Sequence, residues 1–562
     1  MDRRDFLGKL TAGSVGLGLA GCSQLESVVG RGGASGDRGR PNILVIMADD
    51  MGFSDAGCYG GEIDTPNIDR LAEGGLQFTQ FYNASRCCPT RASLLTGQYP
   101  HTVNMAENGQ TLGRNGLTIA EGLQPAGYDT SMFGKWHLSR TEPLPDEQRQ
   151  LDWLNHQLDP DQPFAPLDSY PVNRGFDEHY GPIWGVVDYF DPFSLVDGTE
   201  SVADAGDDLP DDYYITDALS RRSADAVRRS ASREQPFFMY LAYTAPHWPL
   251  HARAEDIDKY RGRYDDGWDA LRRERFERQK DLGLFGDEAT LPPVQDGNAE
   301  WDALSDNEQQ YMAEKMAVHA AMVDQMDQGI GSVIDALEET GQLDNTLILF
   351  LSDNGASPET PKDWGPGYDR PSETREGEEI QYRDLDNVGP ETTFAGIGPA
   401  WASASNTPFR YWKAEQYEGG AHTPMIAHWP DGDIEAGGRT DQQGHVMDVL
   451  PTCLDLAGAG YPDEYDGRDI TPLAGRSLVP ILQGQQRRGH ERLFFEHVGG
   501  KAVIEGKWKL VSLRPDDAPW RLYNLAEDPT ETNDLSGEYP GRTRDLKNAW
   551  QAWAESVGVP GA

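Results

Sequence analysis

The feature that most constrains the fold of this 562-residue chain is the regular alternation of short apolar segments with helical patterns. Residues 42–48 are apolar almost throughout, and three later segments share this character, at residues 127–133, 236–243 and 345–351. Such strands are typical of a sheet with both faces covered. Helical patterns lie between or beside them, at residues 117–126, 214–232 and 305–340. The sequence therefore predicts an α/β fold.

Polar residues follow each of these four strands directly. The endings are Asp49-Asp50, Gly134-Lys135-Trp136-His137, Ala245-Pro246-His247 and Ser352-Asp353-Asn354. In open α/β sheets, ligands bind beyond the carboxyl ends of the strands. One such ending is commonplace, whereas four together predict a single shared site.

Two long insertions and a change of pattern near the C-terminus interrupt the alternation of strands and helices. Residues 139–172 and 356–408 are too long for simple connections, and we expect them to fold over the mouth of the site and select substrates. After residue 436 the pattern changes to short alternating strands, at 492–495, 501–505 and 507–512. A helix is predicted at 442–458 and another at 540–555. We expect a main domain at 41–436 and a smaller α+β subdomain at 437–562.

The N-terminus has the pattern of an export signal. Arg3 and Arg4 precede a short apolar stretch that ends at Cys22. Residues 1–22 therefore read as a twin-arginine signal with a lipobox, handled by the twin-arginine translocase. Lipidation of Cys22 would anchor the chain in the periplasm or at the cell surface, although a cleaved signal without lipid is the alternative. Residues 23–40 read as a flexible tether.

The net charge of −44 limits the possible partners. Such a field repels nucleic acid, so no nucleic-acid partner is expected. It also hinders polyanionic substrates unless the site is locally positive. A salty habitat and an ordinary acidic exported protein both fit this composition.

The segment most informative about chemistry spans residues 85–97 and reads Ser-Arg-Cys-Cys-Pro-Thr-Arg-Ala-Ser-Leu-Leu-Thr-Gly. Pro89 fits the first turn of a helix, which places Cys87 at the helix N-terminus, where anions are favoured. Arg91, one turn further on, adds a guanidinium that suits a tetrahedral oxyanion. A lone Cys-x-Pro is more often a buried cysteine beside a capped helix, but the full pattern is more specific.

This segment resembles the signature of the type I sulfatases, which belong to the alkaline phosphatase superfamily. Ala-Pro-His-Trp-Pro-Leu at 245–250 is most similar to bacterial arylsulfatases. The resemblance implies an alkaline-phosphatase-like sandwich with a large mixed, mostly parallel sheet, plus a small antiparallel sheet in the C-terminal subdomain. It also implies that a formylglycine-generating enzyme converts Cys87 to formylglycine before export.

Asp49, Asp50, Asp353 and Asn354 supply hard oxygen donors from the ends of two strands. Hard oxygen donors suit Ca²⁺ or Mg²⁺ rather than zinc. Either pair alone is more often a helix cap or a turn. Together with Cys87 the four match the sulfatase metal site, which implies Ca²⁺ rather than Mg²⁺.

The resemblance also assigns catalytic and sulfate-binding groups. Arg91, Lys135, His247 and Lys413 would bind the sulfate, and His137 would assist later proton transfer. Hydrated formylglycine would be the nucleophile, with Asp353 as its base and with His247 and Lys413 protonating the leaving oxygen. From residues alone, Lys135 could be a solvated lysine and His247 a loop histidine. His422 stands where relatives often have arginine.

The leading prediction is therefore an exported arylsulfatase-type sulfuric ester hydrolase that acts on a small sulfated ester or the end of a sulfated saccharide. A phosphomonoester or phosphonate monoester hydrolase on the same scaffold is the second possibility. A non-catalytic lipoprotein that binds sulfated ligands with unmodified Cys87 is the third. Nothing in the sequence indicates the oligomeric state.

Overall fold

The computed structural model describes residues 39–560, apart from 159, 161, 203–208, 211, 295–298, 383–386 and 515–517. The predicted signal 1–22, Cys22 and nearly all of the tether 23–40 lie outside the described residues. Arg40–Ala562 form one compact unit. Within the described ranges, no helix combines the length and apolar character that crossing a membrane requires.

The strands occur in chain order as β1 Asn42–Ala48, β2 Leu76–Phe78, β3 Phe81–Tyr82, β4 Asp129–Gly134, β5 Glu178–Pro182, β6 Leu195–Asp197, β7 Glu200–Ser201, β8 Phe237–Ala242, β9 Thr346–Ser352, β10 Met425–His428, β11 Gly438–Thr440, β12 Gly444–His445, β13 Glu464–Tyr465, β14 Arg468–Asp469, β15 Leu493–His497, β16 Gly500–Glu505, β17 Trp508–Ser512 and β18 Arg521–Asn524. The α-helices are α1 Pro66–Glu73, α2 Cys87–Thr96, α3 Ile119–Leu123, α4 Glu147–Leu154, α5 Ile215–Ser230, α6 Ala254–Asp258, α7 Gly267–Asp281, α8 Asp306–Glu339, α9 Gly398–Ser405, α10 Glu418–Ala421, α11 Val449–Ala457, α12 Val479–Leu482 and α13 Pro540–Val557.

The large sheet has the strand order β11-β2-β10-β9-β1-β8-β4-β5-β6-β7. Strand β1 pairs in parallel with β9 on one side and with β8 on the other, and β4 continues in parallel beyond β8. Strands β10 and β6 run antiparallel to their neighbours. This arrangement confirms the predicted mixed, mostly parallel sheet.

Both faces of this sheet are buried. Successive side chains of a strand point to opposite faces, so Leu44 and Ile46 of β1 join the core cluster that contains residues of α5 and α8. Ile43 and Val45 join the cluster that contains residues of α2 and α11. The prediction of a sheet covered on both faces is therefore confirmed.

The predicted helix boundaries are right where a capping signal is present. Ser305 and Glu308 form a capping box at the start of α8, which confirms the helix predicted over 305–340. The helix predicted at 442–458 is wrong in its first part. Residues 444–445 pair in parallel with β3 instead, so α11 begins only at Val449.

The C-terminal part contains the small antiparallel sheet that was expected, in the order β15-β16-β17-β18. One face packs against α13, where Trp550 and Leu546 contact the cluster that contains Val503 and Leu510. Residues 438–440 form β11 of the large sheet. A domain boundary between 436 and 437 stays a prediction.

Candidate active site

The carboxyl ends of β1 and β9 meet at one edge of the sheet, because these strands are adjacent and parallel. Asp49 and Asp50 follow β1, Asp353 and Asn354 follow β9, and all four are buried. The Asp50 backbone N–H donates to Asp353 Oδ1 over 3.1 Å. Asn354 Nδ2 donates to Asp50 Oδ1 over 2.6 Å. The fold thus brings together the four predicted metal ligands that come from these strands.

Cys87 lies at the first position of α2, as the sequence predicts, and every residue of this helix is buried. Ligand atoms of Asp49, Asp50, Cys87 and His247 all lie within 4.8 Å of one another. Burial raises the pKa of the Cys87 thiol well above its usual value, although Lys413 and the other nearby lysine oppose this shift. The unmodified side chain is therefore a neutral thiol at physiological pH, and a poor nucleophile.

Two cations, Arg91 and Lys135, are close enough to this cysteine to interact with it electrostatically. Arg91 Nη2 is 2.8 Å from Asp353 Oδ2 and 3.6 Å from Asp49 Oδ1. Lys135 Nζ, which follows β4, is 2.5 Å from Asp49 Oδ2. All of these side chains are essentially inaccessible to solvent. Buried charges are tolerated when they are paired, so the pairing holds the cations in fixed positions around the cysteine.

His247, in the loop after β8, forms a pair with Lys413. His247 Nε2 lies 3.1 Å from Lys413 Nζ, and Lys413 Nζ also donates to Asp50 Oδ2 over 2.8 Å. Burial, assisted by Lys413, lowers the pKa of His247 well below its usual value. His247 Nδ1 is 2.6 Å from the carbonyl of Trp248 and therefore donates to it. A neutral His247 then accepts a hydrogen bond from Lys413 at Nε2.

His137 follows β4 and lines a cavity together with Cys87, His247 and Lys413. It has a φ of 53°, in the left-handed region, and a Cβ on Gly185 would approach its ring to 2.3 Å. Glycine at 185 is therefore required for this ring position. Burial, together with Lys135, lowers the pKa of His137 well below its usual value. His137 Nδ1 has no hydrogen-bond partner among the described residues.

The residues of this site fit a hard divalent cation. Asp49 Oδ1 and Asn354 Oδ1 are buried and have no hydrogen-bond partner within the described part of the chain. Leaving such oxygens unsatisfied is unfavourable, and a cation bound between them would remove that penalty. Burial raises the pKa of Asp49 to about 7, against the opposing charge of Lys135. A bound cation would keep this carboxylate ionised.

Above Cys87 a cavity of about 310 Å³ opens to solvent. Residues of both long insertions line it, among them Ser139 and Thr141 from the first and Trp364 and Tyr368 from the second. The prediction that these insertions fold over the mouth of the site is confirmed. Their role in substrate selection stays a prediction.

Glu359 is a site residue that the sequence analysis missed. Its Oε1 is 2.9 Å from Arg86 Nη1. Its Oε2 accepts from Trp248 Nε1 over 2.8 Å and lies 3.3 Å from Lys413 Nζ. Glu359 follows Asn354 by only five residues, so an acidic residue shortly after a strand end was the available signal.

His422 does not line the cavity. Its Nδ1 is 2.8 Å from Glu418 Oε2, and its ring stacks on Phe409 at a centroid distance of 4.6 Å. Glu418 is in turn 2.6 Å from Lys509 of the C-terminal sheet. Histidine at this position therefore belongs to a buried charge cluster between the two sheets.

Comparison with known proteins identifies the family. The sulfatase family model matches residues 41–459, and the model of the C-terminal region of N-sulphoglucosamine sulphohydrolase matches residues 410–548. An uncharacterized sulfatase of Schizosaccharomyces pombe is 33% identical, over 92% of this chain and 94% of its own length. An arylsulfatase of Klebsiella aerogenes is 34% identical, over 82% and 96%.

The solved structures agree on the fold. The structure of Ps i-CgsB in complex with k-i-k-neocarrahexaose has a TM-score of 0.61 and 24% identity, and the match covers 92% of this chain and 93% of that one. The extent of the family match and the two relatives above 30% identity lead to one conclusion. This chain belongs to the sulfatase family, within the alkaline phosphatase superfamily, and is a hydrolase of sulfate esters.

Proposed function

We propose that this protein hydrolyses its sulfate ester with a formylglycine made from Cys87, a bound calcium ion and a fixed group of basic side chains, namely Arg91, Lys135, His137, His247 and Lys413. The observation that carries the proposal is the position of Cys87, at a buried helix start and among carboxylates that retain unsatisfied oxygens. Formylglycine and a divalent metal are typical of the sulfatase family.

The cations bind and orient the sulfuryl group. Hydrolysis at sulfur spreads negative charge over the sulfuryl oxygens, and charges that are already positioned stabilise this state without reorganising. Arg91, Lys135 and Lys413 meet this requirement because carboxylates hold each of them at 2.5–2.8 Å. None of the three side chains is free to turn toward solvent.

The four strand-end ligands favour calcium. Ca²⁺ accepts carboxylate and amide oxygens in a flexible, all-protein shell, whereas Mg²⁺ prefers to keep several waters. The buried position of Asp49, Asp50, Asp353 and Asn354 therefore supports Ca²⁺ over Mg²⁺. When bound, the ion would supply positive charge beside residue 87 and the sulfuryl oxygens.

We assign the proton transfers of the proposed reaction to lysine, histidine and aspartate side chains of the site. Cleavage of the S–O bond leaves an alcohol oxygen that must gain a proton. Lys413 donates a hydrogen bond to His247 Nε2, and both residues border the cavity, so this pair is placed to protonate the leaving oxygen. Asp353 is proposed as the base for the nucleophile, and neutral His137 as the group that assists the later deprotonation.

Mass spectrometry tests the proposed modification, and turnover tests the reaction. In protein expressed in its native host, the tryptic peptide containing Cys87 should carry an aldehyde in place of the thiol. The purified protein should release sulfate from 4-nitrophenyl sulfate faster than phosphate from 4-nitrophenyl phosphate. An intact thiol without turnover would favour a binding lipoprotein, and a preference for phosphate would favour a phosphoester hydrolase.

We further propose export by the twin-arginine translocase and lipid anchoring at Cys22, after modification of Cys87 by a formylglycine-generating enzyme. Arg3, Arg4 and Cys22 support this proposal through their spacing in the sequence. Cell fractionation of the wild type and of Cys22→Ala tests it. The wild type should be found in the membrane fraction, and the variant should move to the soluble exported fraction. A cytoplasmic wild-type protein would contradict it.

A further inference from the structure

The wall of the cavity beyond Cys87 is built from two ring pairs. Trp364 lies against Trp248 with ring centroids 5.8 Å apart, and Tyr368 stacks on Trp184 at 5.7 Å. All four rings line the cavity. Trp364 and Tyr368 are 49% and 48% exposed, so each offers a ring surface that a ligand could cover. Polar side chains also line the cavity, but two aromatic ring pairs in its wall are typical of a pocket for an apolar ring.

The charges on this wall cancel locally. Arg86 is 2.9 Å from Glu359, and Arg370 is 2.6 Å from Asp369. Lys413 also faces carboxylates, at 2.8 Å and 3.3 Å. Among the described residues that line the cavity, every lysine and arginine therefore has an acidic partner. Lys413 is assigned to the sulfuryl group, where a bound cation would offset the charge of Asp50, whereas the ion pairs of Arg86 and Arg370 have no cation assigned beside them to offset their carboxylates.

We propose that this wall is the subsite for the alcohol part of the substrate, and that it accepts an uncharged aromatic ring and rejects an alcohol that carries a second negative charge. The inference rests on the proposed function and narrows its substrate to monosulfated esters of phenol-like alcohols. We name the wall, formed by Trp184, Trp248, Trp364, Tyr368, Asp369 and Arg370, the ring subsite.

The volume of the cavity and the charges around it both support the selection of an uncharged alcohol. A cavity of about 310 Å³ has room for one or two rings beside the sulfate, and a longer substrate would have to project through its opening into solvent. A carboxylate or second sulfate on the alcohol would approach Asp369 and Glu359 without gaining a free cation. The acidic composition of the whole chain, with its net charge of −44, adds repulsion in the same direction.

A pair of substrates tests whether the ring subsite rejects an alcohol that carries a second negative charge. The sulfate ester of the phenol methyl 3-(4-hydroxyphenyl)propanoate and its free carboxylate form share the same leaving oxygen and differ in one remote charge. We expect kcat/KM of the wild type to favour the methyl ester by about tenfold or more, because a like-charge contact near a protein surface, with its intermediate dielectric, is unfavourable by at least that ratio. Equal values, or a preference for the carboxylate, would overturn the inference but not the proposed function. Absence of turnover with both esters, in protein that hydrolyses 4-nitrophenyl sulfate, would overturn the inference alone, and absence of turnover with all three esters would overturn the proposed function as well.

Variants of the ion pair provide the second test. Asp369→Asn leaves Arg370 without its partner, so the preference for the methyl ester should shrink severalfold. The matched control is Asp197→Asn, which removes an exposed carboxylate 2.8 Å from Arg222 and outside the cavity lining. The control should keep the wild-type preference. An unchanged preference in Asp369→Asn, or an equal reduction in both variants, would contradict the role of the ring subsite in charge selection.

Measurements of KM test whether the aromatic rings bind the alcohol part of the substrate. Trp364→Ala and Tyr368→Ala should each raise KM for the methyl ester by about fivefold to tenfold and change kcat much less, since the rings contact the alcohol and not the sulfur. Because both rings are about half exposed, their removal should leave the unfolding transition close to that of the wild type. Tyr539→Ala, at a 45% exposed tyrosine outside the cavity lining, is the control. Unchanged KM in both variants, or a fall in kcat alone, would overturn the ring subsite.

Discussion

The replacement Arg91→Met tests the idea that the buried charges of the site are held by mutual pairing. Methionine keeps much of the length of the side chain and removes the guanidinium. Asp353 then loses a 2.8 Å contact, Asp49 loses one at 3.6 Å, and the carbonyl of Lys135 loses a donor at 3.1 Å. All of these groups are buried, so water cannot replace the lost partner.

The expected loss of stability is large because a broken buried ion pair leaves an uncompensated charge. Such losses are about 3–5 kcal/mol. Urea unfolding, followed by tryptophan fluorescence, measures this change. The control is Arg222→Met, which removes a 2.8 Å pair with Asp197 in which both side chains are more than a third exposed. That control should cost about 0–1 kcal/mol.

Activity gives an independent measurement. Loss of one fixed charge at the transition state reduces kcat by about 10²–10³, measured with 4-nitrophenyl sulfate under conditions where the variant remains folded. Arg91→Lys keeps the charge but not the two-pronged geometry, and should fall between the wild type and Arg91→Met. If Arg91→Met unfolds at the same urea concentration as Arg222→Met and keeps wild-type kcat, the reasoning about paired buried charges is refuted.

Three further predictions concern other parts of the molecule. Cys87→Ala should abolish turnover and leave the unfolding transition unchanged within about 1 kcal/mol, and residual wild-type activity would refute the role of Cys87. Removal of divalent ions by a chelator should lower both activity and thermal stability, and Ca²⁺ should restore them better than Mg²⁺; indifference to both ions would count against the strand-end ligands. Asp55 lies 2.7 Å from Arg275 and 3.0 Å from His319. Burial alone would raise the pKa of Asp55, but these two partners outweigh it and lower the pKa from 3.8 to about 2. Its ionised form therefore stabilises the fold fully above pH 4, and this contribution disappears as the pH falls toward 2. Asp55→Asn should be less stable than the wild type at pH 7, with a smaller loss of stability between pH 4 and pH 2, and parallel curves would contradict this.

Local sequence patterns determined the elements of the fold and much of the site. The apolar run at 42–48 identified β1, because a strand buried on both faces has no need of alternation. The capping residues Ser305 and Glu308 located the start of α8. The segment 85–97 placed Cys87 at a helix start, since Pro89 is compatible only with the first turn. In each case the physical cause acts within a few residues of the chain.

Tertiary structure alone decided which distant residues meet. Asp50 contacts Asp353 across 303 positions of sequence, and the order β9-β1-β8 that brings them together has no local signature. Glu359 became a site residue only through its contacts with Arg86 and Lys413. The ring subsite likewise exists because an insertion folds back over the sheet. Side-chain pairing across long loops depends on the packing of the whole domain, and so a sequence pattern cannot specify it.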